Sequence, residues 1–192
     1  MADPFTLDSY TARRKVLAAL TPKFHIYDPA GALAAYVEQK AFKLKEDITV
    51  FGDEEKTRPL LKIKARSVLD VSATYDVTDA ASGQTVGALR RKGLKSIVQD
   101  EWSVLDTADN EVGTIKEDST MMALLRRFLS NLIPQSFHIH IGGQQAGVIK
   151  QRFNPFVLQH DVDLRADSGK RFDRRLALAA VVLLLAIEGR QE

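Results

Sequence analysis

Hydrophobic and polar residues alternate with a period of two along most of the chain. The clearest example is LLKIKAR (60–66), in which Leu61 and Ile63 face one way and Lys62 and Lys64 face the other. This alternation is typical of β-strands that bury one face and leave the other in water. Polar turns separate the alternating segments, so the pattern predicts a mainly β protein.

One structural unit recurs along the chain: an aromatic strand, a polar turn and a short strand that contains a glycine. It occurs as YDVTDAASGQTVGALRR from Tyr75, WSVLDTADNEVGTIKE from Trp102 and FHIHIGGQQAGVIKQ from Phe137, with a looser copy from Tyr27. Each copy predicts a β-hairpin, and the ring of Trp102 is expected to point into the core. With a strand pair at 41–66 and a final strand at 156–166, the total is about twelve strands. A sheet of that size tends to close into an antiparallel barrel.

A run of twelve apolar residues, Leu176 to Ile187, follows the strands. As a helix it would be about 18 Å long, against roughly 30 Å of bilayer hydrocarbon. Asp173 is a suitable N-cap and Gly189 a suitable stop. The run therefore predicts a buried central helix over 174–188 inside the barrel; the alternative is a membrane anchor.

A second helix is predicted within DSTMMALLRRFLSNLIP, with Ser119 as its N-cap and Pro134 after its end. Its single apolar stripe indicates packing on the barrel or closure of one end; contact with a membrane or a partner is the alternative. With 192 residues, the chain is expected to form one domain over 1–192, in which 1–20 lead into the barrel.

Composition and charge exclude several classes of protein. The absence of cysteine excludes disulfides, thiolate metal sites and cysteine nucleophiles, and it suits a reducing cytosol. A net charge of +2 argues against a nucleic-acid-binding protein. No secretory signal precedes the strands, so we expect an intracellular protein.

Several segments together resemble the LURP-one-related family of the Tubby C-terminal-like and phospholipid scramblase superfamily. They are LRRKGLKSIVQDEWSVLD, VGTIKEDS, GGQQAGVIKQRFNPF and DRRLALAAVVLLLA, and the likeness runs from about Phe24 to Ile187. The resemblance implies a closed barrel of about twelve strands threaded by a hydrophobic helix. It also implies phospholipid contact or a scaffold role. For scramblases this helix has been proposed to enter the membrane, whereas in Tubby domains it is buried in a soluble phosphoinositide-binding protein.

Acidic residues precede the final helix: Asp161, Asp163, Asp167 and Asp173. The resemblance to scramblases implies a calcium-binding loop here, but the spacing does not fit an EF-hand. We interpret Asp161 and Asp163 as the solvated face of a strand, with a weak cation site as the alternative.

Two histidines, His138 and His140, lie on the same side of a predicted strand. With His25 or His160 they could form a metal site, but histidines alternating with core isoleucines explain the pattern better. No nucleophile elbow or phosphate-binding glycine loop is present, and Asp100 and Glu101 face opposite ways on a strand. The sequence therefore predicts neither an enzyme nor a protein with a metal or a cofactor.

Charge is unevenly distributed along the chain. Residues 60–95 hold seven cations and three acids, 96–118 hold one cation and seven acids, and 119–152 hold four cations and no acid. Separate basic and acidic surfaces are typical of proteins that orient on a charged partner, although solvated strand faces are the alternative.

The candidate binding face lies on a hairpin with a turn at 52–59. Pairing Phe51 with Leu60 sets Asp47 opposite Lys64. The hairpin then carries five cations on its outer face: Lys43, Lys45, Lys62, Lys64 and Arg66.

Three functions remain from the sequence. The first is a non-catalytic cytoplasmic domain, peripheral to the membrane, that binds anionic phospholipid headgroups. The alternatives are a soluble protein-interaction scaffold and a small enzyme with an unfamiliar site.

Overall fold

Twelve antiparallel strands close into a single barrel in the computed structural model of the chain. The structure describes residues 3–15, 22–38, 47–66, 73–92, 101–118, 135–152, 154 and 156–188. The strands β1 to β12 are Ser9–Lys15, Lys23–Tyr27, Leu33–Glu38, Asp47–Phe51, Pro59–Ala65, Thr74–Asp79, Thr85–Arg91, Glu101–Leu105, Glu111–Glu117, Ser136–Ile141, Gln144–Arg152 and Val157–Asp163. One α-helix, α1 (Arg174–Glu188), follows them, and a short 3-10 helix, Pro4–Thr6, precedes them. The predicted barrel is therefore confirmed.

The barrel closes because β1 pairs with both β2 and β12, so every strand has two neighbours. The closing pair runs from Ser9 opposite Asp163 to Lys15 opposite Val157. Closure removes the unpaired strand edges that favour aggregation. β1 was not predicted from the sequence: it lies in the segment 1–20, which was expected only to lead into the barrel.

The inner faces of the strands form one hydrophobic core with α1, as the alternation predicts. In β5, Leu61 and Ile63 are fully buried while Lys62 and Lys64 are exposed. Trp102 is only 3% exposed, and its ring centroid lies 6.0 Å from that of Tyr75. The inward orientation predicted for this tryptophan is confirmed.

The helix α1 fills the barrel, as predicted. Asp173 caps its first turn: the Asp173 carboxylate accepts the N–H of Arg175, and its carbonyl accepts the N–H of Ala177. Every residue from Leu176 to Ile187 is buried. Full burial of one Leu or Val side chain contributes roughly 1.5–3 kcal/mol, so α1 is a major source of the stability of the barrel.

The direction of α1 distinguishes the two ends of the barrel. At the upper end, where α1 begins, Arg174 bonds to Asp8, which directly precedes β1. At the lower end, towards which α1 runs, Arg14 Nη1 donates to the carbonyl oxygen of Leu185 at 2.8 Å. Within the described residues, six connections lie at the upper end: 28–32, 52–58, 80–84, 106–110, 142–143 and 164–173.

The recurring glycines mark where neighbouring hairpins approach most closely. Gly87, Gly113 and Gly147 each pair with the residue directly before a β-bulge in the partner strand. A Cβ on Gly87 would collide with the carbonyl oxygen of Leu105, and one on Gly113 with that of His140. The repeat therefore reflects a shared need for close backbone packing next to a bulge.

The hairpin of β4 and β5 has nearly the predicted register. Asp47 lies opposite Lys64, as predicted. A bulge between Val50 and Phe51 places Phe51 opposite Pro59, so the predicted pairing with Leu60 is wrong by one residue. The predicted amphipathic helix lies outside the described residues.

Candidate functional site

The cations of β5 extend from the outer face of the barrel. Lys62 lies between Thr49 of β4 and Thr78 of β6, and Lys64 lies between two acids, Asp47 and Asp76. Both lysines are exposed, and neither forms an ion pair with the described residues. Their ammonium groups are therefore accessible to an anionic ligand.

Arg66, at the end of β5, is held by two carboxylates. Its Nη2 lies 2.7 Å from Asp76 Oδ1 and 2.6 Å from Asp109 Oδ1, and Nε and Nη1 make further bonds to the same two acids. The bond to Asp109 and then that to Asp76 raise the pKa of Arg66. The same guanidinium lowers the pKa of Asp109. Arg66 thus connects the start of β6 to the β8–β9 turn.

The predicted five-cation face is only partly described. Lys43 and Lys45 lie outside the described residues. Lys62, Lys64 and Arg66 share one side of β5, as predicted, but two carboxylates neutralise Arg66. The described part of this face therefore offers two accessible cations, Lys62 and Lys64.

The acids before α1 are each bound to an arginine. Arg152 Nε donates to Asp161, whose carboxylate also accepts the Thr11 hydroxyl at 2.9 Å. Arg165 binds Asp163 through Nε at 2.9 Å and Nη2 at 2.6 Å. The bond from Arg165 lowers the pKa of Asp163 to about 2. Asp161 and Asp163 do lie on the outer face of β12, as interpreted from the sequence.

Asp167 is the buried member of this group. It accepts the backbone N–H groups of Arg171 and Phe172 and lies 2.9 Å from Arg174 Nη1. Burial alone would raise the pKa of Asp167, but the Phe172 N–H and the Arg174 guanidinium outweigh burial and lower it. Arg174 also binds Asp8 at 2.7 Å, so this cluster joins the segment before β1 to the start of α1.

The histidines do not converge. His138 and His140 alternate with buried Phe137, Ile139 and Ile141 on the outer face of β10, as expected. His25 lies on β2, 3.3 Å from Glu54, and His160 is fully buried inside the barrel. Across the described ranges, no three His, Asp or Glu side chains are grouped as metal ligands.

The turn between β11 and β12 was not predicted from the sequence. Asn154 Oδ1 accepts the N–H groups of Phe156 at 2.9 Å and Val157 at 3.1 Å, forming an Asx turn. Phe156 is 69% exposed, whereas the sequence analysis placed it in the final strand. The Asn-Pro pair at 154–155 is a turn signal that could have revealed it.

The structure belongs to the class of closed antiparallel barrels that are threaded by one apolar helix. A family model for LURP-one-related proteins matches residues 33–185. The chain therefore belongs to the LURP-one-related family, with which placement in the Tubby-like superfamily is consistent. No curated protein and no solved structure matches it. Among the described residues, no helix combines the length and the apolar character needed to cross a bilayer.

Proposed function

We propose that this LURP-one-related barrel is a non-catalytic cytoplasmic protein that docks peripherally on anionic phospholipid headgroups. The observation that carries the proposal is the pair Lys62 and Lys64, which extend from the outer face of β5 without ion-pair partners among the described residues. Each cation near an anionic membrane contributes on the order of 1 kcal/mol. Lys43 and Lys45 are included in the proposal on the sequence pattern alone.

The surroundings of Lys62 support this role. Its cross-strand neighbours, Thr49 and Thr78, are neutral, so a phosphate oxygen near Lys62 meets hydroxyl groups rather than carboxylates. Lys64 is less favourable, because Asp47 and Asp76 lie opposite it on the two adjacent strands. Arg66 is expected to contribute little, since Asp76 and Asp109 already surround its guanidinium.

The test is sedimentation with vesicles of phosphatidylcholine containing phosphatidylserine. We expect the wild-type protein to bind, with binding falling as salt rises because exposed charges are screened. The double variant Lys62→Glu/Lys64→Glu should lose most of this binding. Arg66 is left unchanged, because reversing its charge would bring three carboxylates together.

A matched control changes the net charge equally at the upper end. Arg165 and Lys170 are exposed there, so Arg165→Glu/Lys170→Glu lowers the charge by the same four units. This control should keep most of the binding. An equal loss of vesicle binding in both double variants would show that binding depends only on net charge, which would contradict the proposed site.

The alternative is a protein-interaction scaffold. Wild-type protein that fails to bind anionic vesicles even at low salt would overturn the lipid proposal. A stoichiometric protein partner, captured independently of lipid, would then support the scaffold.

A further inference from the structure

We infer that the barrel docks end-on, with its lower end against the anionic membrane and Phe156 inserted into the membrane interface. This inference rests on the proposed lipid function and names the part of the barrel that enters the lipid. The partner is a phospholipid surface, recognised through one inserted aromatic ring and the cations around it.

The first observation is the way in which the chain presents Phe156. Only Phe156, at 69%, and Val112, at 37%, are exposed large hydrophobic residues in the described part of the chain. The two bonds to Asn154 Oδ1 restrain the backbone N–H groups of Phe156 and Val157, from which the exposed ring projects. A constrained turn loses little conformational entropy when its side chain enters an apolar phase.

The second observation is the charge beside this turn. Gln159 of β12 lies opposite Arg152 of β11 on one side and Arg13 of β1 on the other, so two arginines flank it. Gln159 follows Phe156 by three residues, about 10 Å along a strand. Both arginines are exposed, as is Lys150, which lies opposite Asp161.

The balance of charge on this face is positive. Arg13, Lys150 and Arg152 are present with one acid, Asp161, which is itself bonded to Arg152 and Thr11. Among the other described cations towards the lower end, Lys23 lies 3.4 Å from Glu38 and Lys92 lies 2.8 Å from Glu101. Three exposed cations of the described residues, Arg13, Lys150 and Arg152, therefore lie on the strands beside the β11–β12 turn.

The third observation is that the upper end is unsuited to an anionic surface. Its six described connections contain eight acidic residues and five basic ones. Val112, the other exposed hydrophobic residue, lies close to this end, because the carbonyl oxygen of Val112 accepts the N–H of Gly142 in the β10–β11 turn. Docking by the lower end keeps most of these acids away from the membrane; Asp109 is the exception, because it is bonded to Arg66 just after the end of β5.

The experiment uses two tryptophan reporters in the full chain, Phe156→Trp and Val112→Trp. They sit at opposite ends of the barrel, and the buried Trp102 gives both variants the same background. Each is mixed with phosphatidylcholine vesicles, with or without phosphatidylserine, that carry brominated acyl chains. With phosphatidylserine present, we expect the Phe156→Trp emission to shift to shorter wavelength and to be quenched by bromine. The Val112→Trp emission should not change.

Affinity supplies a second measurement. Phe156→Ser should weaken binding to phosphatidylserine vesicles about tenfold or more, since an aromatic ring is lost from the apolar phase. Val112→Ser should change it less than about twofold, because Val112 faces away. Melting temperatures close to wild type would show that both serine variants fold, as expected for exposed positions.

Each outcome has a distinct meaning. Absence of wild-type binding would overturn the proposed function and this inference together. If the wild-type protein binds but the Phe156→Trp emission is neither shifted nor quenched, the inference alone is overturned. If the Val112→Trp emission is quenched instead, the barrel docks by its upper end, which also overturns the inference. If the Phe156→Trp side chain inserts equally into vesicles without phosphatidylserine, the cations around the turn do not contribute to docking, and that part of the inference is overturned. A shift of Phe156→Trp with an added protein, and none with vesicles, would assign the turn to a protein partner.

Discussion

The two ends of the barrel use their polar groups in opposite ways. At the upper end, aspartates bind the backbone of their own turns: the carboxylates of Asp28, Asp53, Asp79, Asp106 and Asp167 each accept two N–H groups. At the lower end, the one described turn binds its backbone through a neutral residue, Asn154, and exposes Phe156.

This difference separates groups that stabilise the fold from groups that are available for binding. A carboxylate that accepts two N–H bonds from its own turn stabilises that turn, so these five aspartates have a structural role. An exposed ring, and ammonium groups with no ion pair to the described residues, gain by meeting a partner. The net charge of +2 does not reveal this difference, because the acidic and basic residues lie in different parts of the chain.

The largest expected effect comes from removing the helix that spans both ends. A chain that stops after Asp173 should not fold, because α1 contributes twelve buried apolar residues to the core. Their burial exceeds the roughly 5–15 kcal/mol of net stability of a typical domain. Circular dichroism and size-exclusion chromatography provide the measurement, with a chain that stops after Glu188 as the folded control. A truncated chain that is monodisperse and melts cooperatively would refute the central role of α1.

The next effect tests whether the acids of the upper end are structural. Asp167→Asn can keep only one of the two turn N–H bonds, because Arg171 N–H donates to Oδ1 and Phe172 N–H donates to Oδ2. It also leaves the buried Arg174 without one of its two carboxylates. We expect a loss of about 3 kcal/mol, measured by urea unfolding, because breaking a buried ion pair leaves a charge poorly compensated. Asp28→Asn, in a turn where Asp28 forms no ion pair with the described residues, should cost less than about 0.5 kcal/mol. Similar losses in both variants would show that turn geometry, rather than charge, determines stability here.

The smallest effect concerns Asp163, whose ion pair with Arg165 is exposed. The folded pKa is lowered to about 2, so the pair contributes stability above the unfolded pKa of about 3.9 and loses it as the pH falls towards 2. Solvent screening limits the contribution to below about 1 kcal/mol. The carboxyl carbon shift of Asp163 should titrate near pH 2, and Asp163→Asn should be less stable than wild type at pH 7 but not at pH 2. Titration near pH 4 would mean that the pair does not form in solution.

The barrel could be predicted because its information is local. In β5 and β10, each buried residue alternates with a polar one, and the three recurring hairpins each contain their own turn and a glycine opposite a bulge. The apolar run of α1 was likewise visible within twelve residues. Such elements follow from local periodicity and need no knowledge of distant contacts.

The missed elements depend on distant partners. β1 was not recognised because its inward position 14 is an arginine, which breaks the apolar alternation. Arg14 is tolerated there because its guanidinium reaches the carbonyl oxygen of Leu185, 171 residues away. The sequence predicted that Arg66 could bind a lipid headgroup, but the guanidinium of Arg66 binds Asp109, 43 residues away. Alternation shows which way a side chain points, but it does not show which distant group meets it.

The pairing of β1 with β12 has a consequence for how the protein is made. Thr11 and Asp161, which bond across this seam, are 150 residues apart, and α1 is synthesised after all twelve strands. During translation, neither the seam nor the core can be completed until the last strand and the helix have emerged. Folding that depends on such distant contacts is slow, and exposed strand edges favour aggregation meanwhile. For most of its synthesis the nascent chain therefore lacks both the strand that closes the barrel and the helix that fills it.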